Sequence, residues 1–411
     1  MEQLSNNIPK QWKLASLVND LQFIKTGVLE FKGKKKYYST GSIKEVKITS
    51  EGDYEFKNKP SRANRIAKLG DVFQARMKST DKAILITNEL DKQLFSTGFF
   101  QIRGDDRLFN KFIYYYLTSN LFKQQKDKLC SGSTQSALND ESAKKIFVPL
   151  PPFEEQQAIV SKIEELFSEL DKGIEDLKTA QQQLKTYRQS VLKWAFEGKL
   201  TNESVNEGEL PKGWAWTTFQ KVCLKIGDID HKMPKQLETG YPYVSTKDFT
   251  NDLKISFDKA KYISKEDYLN LARKIKPENG DIIFPRYGTI GKNILVDFDK
   301  EFLVSYSCAV VKPNHDVVLS KYIYLFSLSP KITDEIRKYV VETTQANIGI
   351  ASIKSFVFPL PPMEEQHKVV DVLESRLSVA DKMEESIAQS LLQAESLRQS
   401  ILKKAFSGQL L

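Results

Sequence analysis

A chain in which PLPPFEEQ, beginning at Pro149, returns as PLPPMEEQ at Pro359 is built twice from one unit. At the same offset of 210, YRQSVLKWAFEGKL (Tyr187 to Leu200) matches LRQSILKKAFSGQL (Leu397 to Leu410), and 23 of the 52 positions from Pro149 to Leu200 are identical without a gap. The register runs upstream: GDVFQAR (Gly70 to Arg76) falls on GDIIFPR (Gly280 to Arg286), and Thr134-Gln135 falls on Thr344-Gln345. IPKQW (Ile8 to Trp12) meets LPKGW (Leu210 to Trp214) at an offset of 202, so the second copy is about eight residues longer. A repeat on this scale fixes the organisation before any element is assigned. It gives variable modules at 1–148 and 201–358, each followed by a conserved segment, at 149–200 and 359–411.

The duplication also gives the net charge of +8 a meaning. Residues 1–148 hold 26 basic and 16 acidic side chains, and residues 201–358 hold 22 and 20, whereas the conserved segments each carry a net charge of −2. The positive excess lies in the modules, chiefly the first, where it suits nucleic acid, an acidic protein or only solubility. The longest apolar run, around Phe302 to Val311, is about half of what a membrane-spanning helix needs, and MEQLSNN lacks a signal-peptide layout, so a cytoplasmic protein is expected. Cys130, Cys223 and Cys308 are far apart and odd in number, which argues against a disulfide framework or a zinc site.

Both conserved segments read as long helices. A Pro-Pro pair precedes Glu154-Glu155 and Glu364-Glu365, residues that suit the positive end of a helix dipole, and Gly198 and Gly408 are placed as stops. Ile163, Leu170, Leu177, Leu184 and Val191 recur every seven residues, with Leu166, Ala180, Tyr187 and Trp194 assigned to the second heptad position. Leu373, Ala380, Ile387, Ala394 and Ile401 keep the seam in the second copy. Each apolar stripe needs a cover, and antiparallel pairing of the two helices supplies one, with pseudo-two-fold symmetry. A generic dimerisation coiled coil is the other reading of these helices.

The modules alternate short β-rich stretches (44–49, 281–284, 302–311) with helical patches (108–128, 321–339), an α+β pattern. KGKKKYY, with Lys34, Lys35 and Lys36, interleaves cations and aromatics, and Arg62, Arg65, Lys68 and Arg76 follow. Such a mixture suits phosphate neutralisation and base-edge contact, although a solvated loop has the same composition. In GDIIFPRYGTIGKN, a strand leads into Arg286, Tyr287 and a glycine-bearing turn ending at Lys292. Arg286 stands where a P-loop has its first glycine and Asn293 where it has Ser or Thr, so nucleotide hydrolysis is not expected. The turn suits backbone approach to a phosphate with Arg286 in a groove, or a hairpin with a packing arginine. The loops around Thr134-Gln135 and Thr344-Gln345-Ala346-Asn347 carry groups that can contact bases and phosphates, or that simply shape a turn. Leu150, where an amino-methyltransferase has a polar residue ahead of Pro-Pro-aromatic, speaks against catalysis here. The PLPP segment reads as a rigid hinge between module and helix, or as a ligand for a proline-binding domain.

At these residues the chain resembles the specificity (S) subunit of type I restriction-modification enzymes. The likeness is carried by PLPP[FM]EEQ and RQS[VI]LK[WK]AF[ES]G, each present twice, by the GD strand, the TQ loop and the PK[QG]W opening, and it spans nearly the whole chain. It implies two tandem α+β target recognition domains separated by two long helices, paired as an antiparallel coiled coil. It further implies a non-catalytic subunit that reads an asymmetric, bipartite site in double-stranded DNA. The implied partners are two methyltransferase subunits and, in a complete system, two restriction/translocase subunits, with no membrane. No cofactor is expected on this chain; S-adenosylmethionine, ATP and magnesium belong to the partner subunits. DNA contact is expected from Lys34, Lys35, Lys36, Arg62, Arg65, Arg76, Thr134, Gln135, Arg286, Tyr287, Lys292, Thr344, Gln345 and Asn347. Subunit contact is expected from Glu154, Glu155, Gln156, Arg188, Phe196, Glu364, Glu365, Gln366, Arg398 and Phe406. An autonomous DNA-binding regulator and a non-DNA coiled-coil scaffold are the alternatives. Co-purification with a methyltransferase subunit separates the first, and salt-dependent DNA binding the second.

Overall fold

The computed structural model describes residues 8–44, 47–131, 136–202, 204–206, 208–231, 233–339 and 347–411. They form two compact units, Met1–Lys178 with Ala388–Leu411 and Thr179–Ile387. The division passes through both long helices, Phe153–Phe196 and Met363–Phe406, so each unit is one module with a part of each helix. No described helix is long and apolar enough to cross a membrane.

The GD strand is the centre of each module. Its four residues are buried, and because side chains alternate across a strand it serves two cores at once. Val72 enters a cluster with Phe100, Ile102 and Phe112, while Phe73 and Ala75 join Phe95 and Phe99 on the other face. In the second unit Ile282 and Phe284 share a core with Phe219 and Tyr322, and Ile283 faces Val304 and Val310. Val72–Ala75 lies between Phe99–Arg103 and Ala83–Leu85, and Ile282–Pro285 lies between Cys308–Pro313 and Ile294–Leu295, all antiparallel. A second sheet in each unit contains a parallel pair, Lys35–Tyr38 with Leu94–Ser96 and Tyr241–Val244 with Leu303–Val304. The expected α+β architecture is therefore present twice.

Each module is closed by pairing its first strand with its last. Lys13–Ser16 runs antiparallel to Phe147–Leu150, with Leu14 opposite Pro149, and Ala215–Thr218 pairs likewise with Val357–Leu360. These are two-stranded sheets, so a proline without an N–H is tolerated at an edge. The expectation of PLPP as a hinge is corrected accordingly: its first two residues are held in a strand, and only the proline pair, Pro151-Pro152 or Pro361-Pro362, leads into the helix.

The spacer helices pair antiparallel within each unit, the start of one beside the end of the other. Ile163 and Phe167 share a core with Ile401, Leu402, Ala405 and Phe406, and Val191, Leu192 and Phe196 share one with Val369, Val370 and Leu373. The seven-residue seam holds, since Ile163, Leu184, Val191, Leu373, Ala380, Ala394 and Ile401 are buried. The second heptad position is corrected. Leu166 and Ala180 are half-buried, Leu166 against the core, but Tyr187 and Trp194 are 40% and 44% exposed, and toward the end of the helix Arg188 and Ala195, four residues after the first seam position rather than three, turn inward instead. With 3.6 residues per turn both spacings lie near one face, and the facing helix decides between them.

Eight of the ten expected partner contacts are used inside the fold, four of them in docking each module on the helices. Gln156 is fully buried; its amide accepts from Phe109 N–H (2.9 Å) and donates to Arg107 O (2.7 Å) and Pro151 O (2.9 Å). Gln366 repeats this with Leu319 N–H (2.9 Å), Val317 O (3.0 Å) and Pro361 O (3.0 Å). Phe406 meets Phe112 and Tyr116 edge-on at 5.3 and 5.1 Å, and Phe196 meets Tyr322 and Phe326 at 5.2 Å each. These residues recur because they dock each module on the helices. Glu155 accepts from the Trp12 indole (2.9 Å) and Glu365 from Thr201 (2.5 Å), while Glu154 and Glu364 stay exposed. Arg188 pairs with Asp381 and Glu384, and Arg398 with Asp171.

The stop glycines have a double role. Gly198 (φ +77°) and Gly408 (φ +72°) take the left-handed conformation that ends a helix. A Cβ on either would also lie 2.2 Å from a ring carbon of Pro211 or Pro9, the prolines of the two PK[QG]W openings.

Candidate nucleic-acid interface

The GD motif turns on a buried acid. Asp71 accepts from Lys68 N–H (2.8 Å) and from both ends of the Arg103 guanidinium (2.7 and 2.9 Å). Asp281 accepts from Glu278 N–H (2.7 Å) and Lys312 Nζ (2.6 Å), and burial still holds its pKa above the usual carboxylate value. Three positions before Asp71, Lys68 remains exposed and its side chain unpaired among the described residues, so the motif's local role is to start the strand.

The strand ends on an arginine that turns inward. Arg76 donates from Nε to Phe99 O (3.2 Å) and from a terminal nitrogen to Leu138 O (3.0 Å), and its other nitrogen lies 2.6 Å from Asp140. Arg286 donates from Nε to Ile348 O (3.1 Å) and from a terminal nitrogen to Tyr306 O (3.3 Å) and Asp228. Main-chain bonds answer in the opposite direction, Leu138 N–H to Arg76 O (2.9 Å) and Ile348 N–H to Arg286 O (3.0 Å). The expectation that Arg286 reaches into a groove and that Arg76 contacts DNA is corrected, because Arg286 is 8% exposed with Nε and one terminal nitrogen bonded within its module, and all three nitrogens of Arg76 are engaged. Asp228 and Asp140, which sequence reasoning missed, lie far from their arginines in the chain and match no spacing of the repeat.

Arg65 is also corrected. It is 1% exposed, with one donor on Ile24 O (2.7 Å) and Nε and the other nitrogen unpartnered, and burial lowers its pKa to about 10.

Beyond each arginine lies the surface at which the copies diverge. Met77 bridges Ala137 antiparallel, and at the same register Tyr287 bridges Asn347. Tyr287 and Asn347 are half-buried, Lys292 is exposed, and the Arg286 guanidinium lies 5.4 Å from the Tyr287 ring centre. Gly288 and Gly291 adopt positive φ in the intervening turn. Asn293 is buried and donates to Ser327 O (3.0 Å), so it anchors that turn to a helix end. Thr134, Gln135, Thr344 and Gln345 lie outside the described residues.

The first module adds a separate cationic surface. Lys34, Lys36 and Arg62 are exposed and Lys35 is half-buried 5.1 Å from the Phe31 ring. Among the described side chains, which do not include that of Lys47, no lysine or arginine from Lys10 to Lys68 has a carboxylate within 4.0 Å, whereas Lys274, Lys276, Arg286 and Lys312 of the second module are all paired. Among the described residues no cluster of His, Cys, Asp or Glu is placed to hold a metal ion.

Comparison with known proteins places this geometry. Residues 16–179 and 211–393 both match the family model described as the type I restriction modification DNA specificity domain. The chain belongs to that family. Among its relatives, the EcoBI specificity subunit of Escherichia coli is 26% identical over 320 residues, 74% of this chain and 67% of the relative. The EcoKI specificity subunit of E. coli strain K12 is 27% identical over 324 residues, 75% and 67% of the two chains. The solved HsdS subunit from Thermoanaerobacter tengcongensis superposes with a TM-score of 0.63 at 21% identity over 98% of both chains. A chain from a study of assembly and conformational transition in a type I restriction-modification system gives 0.76 at 22% identity, covering 98% and 99%. As a type I specificity chain, it serves the sequence specificity of a restriction-modification system and is not itself the catalyst.

Proposed function

We propose that each module reads one half of an asymmetric, bipartite duplex site, and that the chain carries two methyltransferase subunits and, in a complete system, two restriction/translocase subunits. The observation that carries this reading is one framework used twice with different edges. The buried Asp71 and Asp281, the inward Arg76 and Arg286 and the docking Gln156 and Gln366 occupy the same positions in both units, while Met77 and Ala137 are replaced by Tyr287 and Asn347. Two frameworks of one shape with unlike reading edges suit two unlike half-sites.

On this reading the candidate DNA surface comprises Tyr287, Lys292 and Asn347 in the second module and Lys34, Lys35, Lys36 and Arg62 in the first, with Thr134, Gln135, Thr344 and Gln345 kept as candidates. Exposed Glu154 and Glu364, and the outer faces of the spacer helices, are the candidate surface for the modification subunits. S-adenosylmethionine, ATP and magnesium chemistry is assigned to the partner subunits. Each 44-residue helix is about 66 Å long at 1.5 Å per residue, and the pair is the element whose length sets the gap between half-sites. Co-expression with a type I modification subunit, followed by methylome sequencing, tests the proposal. A two-part asymmetric motif that disappears when this chain is omitted is the expected result; methylation independent of it overturns the reading.

A further inference from the structure

We infer that Arg76 and Arg286 are positioning residues for half-site discrimination, acting through the strand edge that each one grips rather than by touching DNA. The inference rests on the proposed reading and concerns how its reading edge is held. Both arginines end the GD strand, and both donate a side-chain hydrogen bond to the carbonyl of the residue that follows the edge bridge, Leu138 O at 3.0 Å and Ile348 O at 3.1 Å. The same residue returns its N–H to the arginine carbonyl at 2.9 and 3.0 Å. The bridge sits immediately outside this double clasp, Met77 with Ala137 and Tyr287 with Asn347.

The acid completing the clasp differs between copies, which argues for a retained device rather than retained sequence. Asp140 follows the edge in the first module, whereas Asp228 comes from the far strand end in the second, yet each meets a terminal guanidinium nitrogen. A planar fork can satisfy a carbonyl and a carboxylate together in fixed directions, whereas a lysine ammonium has no such geometry. Loosening the clasp leaves the core strand Ile282–Pro285 in its sheet but frees the register of Tyr287 against Asn347. A base contact depends on placement to a fraction of an ångström, while phosphate attraction tolerates movement. The clasp therefore governs discrimination more than affinity.

The test uses the full complex with its modification subunits and duplexes carrying the motif found by methylome sequencing, each randomised in one half. Arg286→Lys and Asp228→Asn are expected to lower discrimination at one half-site about tenfold, against an ordinary range of about 5- to 150-fold per mismatched pair. Discrimination at the other half-site stays as in the wild type; because a buried ion pair is disturbed, the unfolding midpoint of the Arg286 and Asp228 variants falls, and binding is measured well below it. Arg76→Lys and Asp140→Asn are expected to do the same at the opposite half. Equal loss of affinity for matched and mismatched duplexes, or unchanged discrimination at both halves, overturns the inference. Tyr287→Ala and Asn347→Ala separate the two possible failures. If they alter the motif and the clasp variants do not, the clasp falls and the interface stands; if neither set alters it, both fall.

Discussion

Arg188 of the first spacer helix lies 2.6 Å from Asp381 of the second, and Arg398 meets Asp171 in the reciprocal pair 210 positions away. Both residues of each pair are shifted by the repeat, so one contact is written twice with the helices exchanged. Asp381 is largely exposed while Arg188 is mostly covered, so solvent limits each bridge to about 1 kcal/mol or less. A double-mutant cycle of Arg188→Ala and Asp381→Ala, followed by urea unfolding, is expected to give a coupling of about 0.5 kcal/mol. The exchange Arg188→Asp with Asp381→Arg should restore most of it.

Replacing Gln156 by Leu is expected to be far more damaging. It leaves one buried N–H and two carbonyls without their partner, at about 1–3 kcal/mol for each unsatisfied group. A loss of about 3 kcal/mol or more in chemical denaturation is predicted, and Gln366→Leu should match it in the second unit.

Neutralising Lys34, Lys35 and Lys36 together should weaken DNA binding without changing the methylated motif. Each phosphate contact removed lowers the slope of log K against log salt by about 0.9, so the triple variant loses up to about 3 in slope. Binding titrations between low and moderate salt check this. Arg65→Met, by contrast, is expected to leave DNA affinity unchanged and to be neutral or stabilising, because it replaces an incompletely bonded buried cation with apolar volume.

Lengthening both spacer helices by four residues is expected to change the gap between half-sites while leaving the bases of each half unaltered. Methylome sequencing of cells carrying the lengthened chain gives the result directly.

Burial pushes the thiols of Cys223 and Cys308 up to about 12, from an ordinary value near 9. At pH 8 buried Cys308 should resist a thiol reagent in the folded protein and react after denaturation, while half-buried Cys130 and Cys223 are labelled before it, Cys223 the more slowly of the two. The sign for stability follows. Below pH 9 the thiols are protonated in both states. Between pH 9 and 12 only the unfolded chain releases those protons, so their contribution to stability falls as pH rises through that window. Unfolding midpoints of Cys308→Ala and wild type across pH 8 to 11 measure it.

What the sequence showed well was whatever the duplication protected. The helices, their glycine stops, the first seam position and the two α+β modules were legible because identical residues at fixed spacing carry period and punctuation. The destination of a conserved polar side chain was not. Gln156 and Arg286 recur because the fold needs them, yet their letters equally suit a partner contact, and only burial and hydrogen-bond partners tell the two apart. Trp194 shows the converse: its heptad position marked it as core, but the facing helix selected Ala195 and left the indole partly exposed. Asp228 had no signal at all, since it belongs to a clasp whose acid comes from a different element in each copy.

The contact of Gly408 with Pro9 has a consequence in time as well as in space. The first unit's core requires Ile401, Leu402, Ala405 and Phe406, which leave the ribosome long after its own module, while everything in the unit Thr179–Ile387 has by then been made. Domains generally fold as they are synthesised. Here the module translated first is the last to be sealed, and a ribosome that stalls between Ala388 and Ser400 releases a chain with one complete unit and one open core.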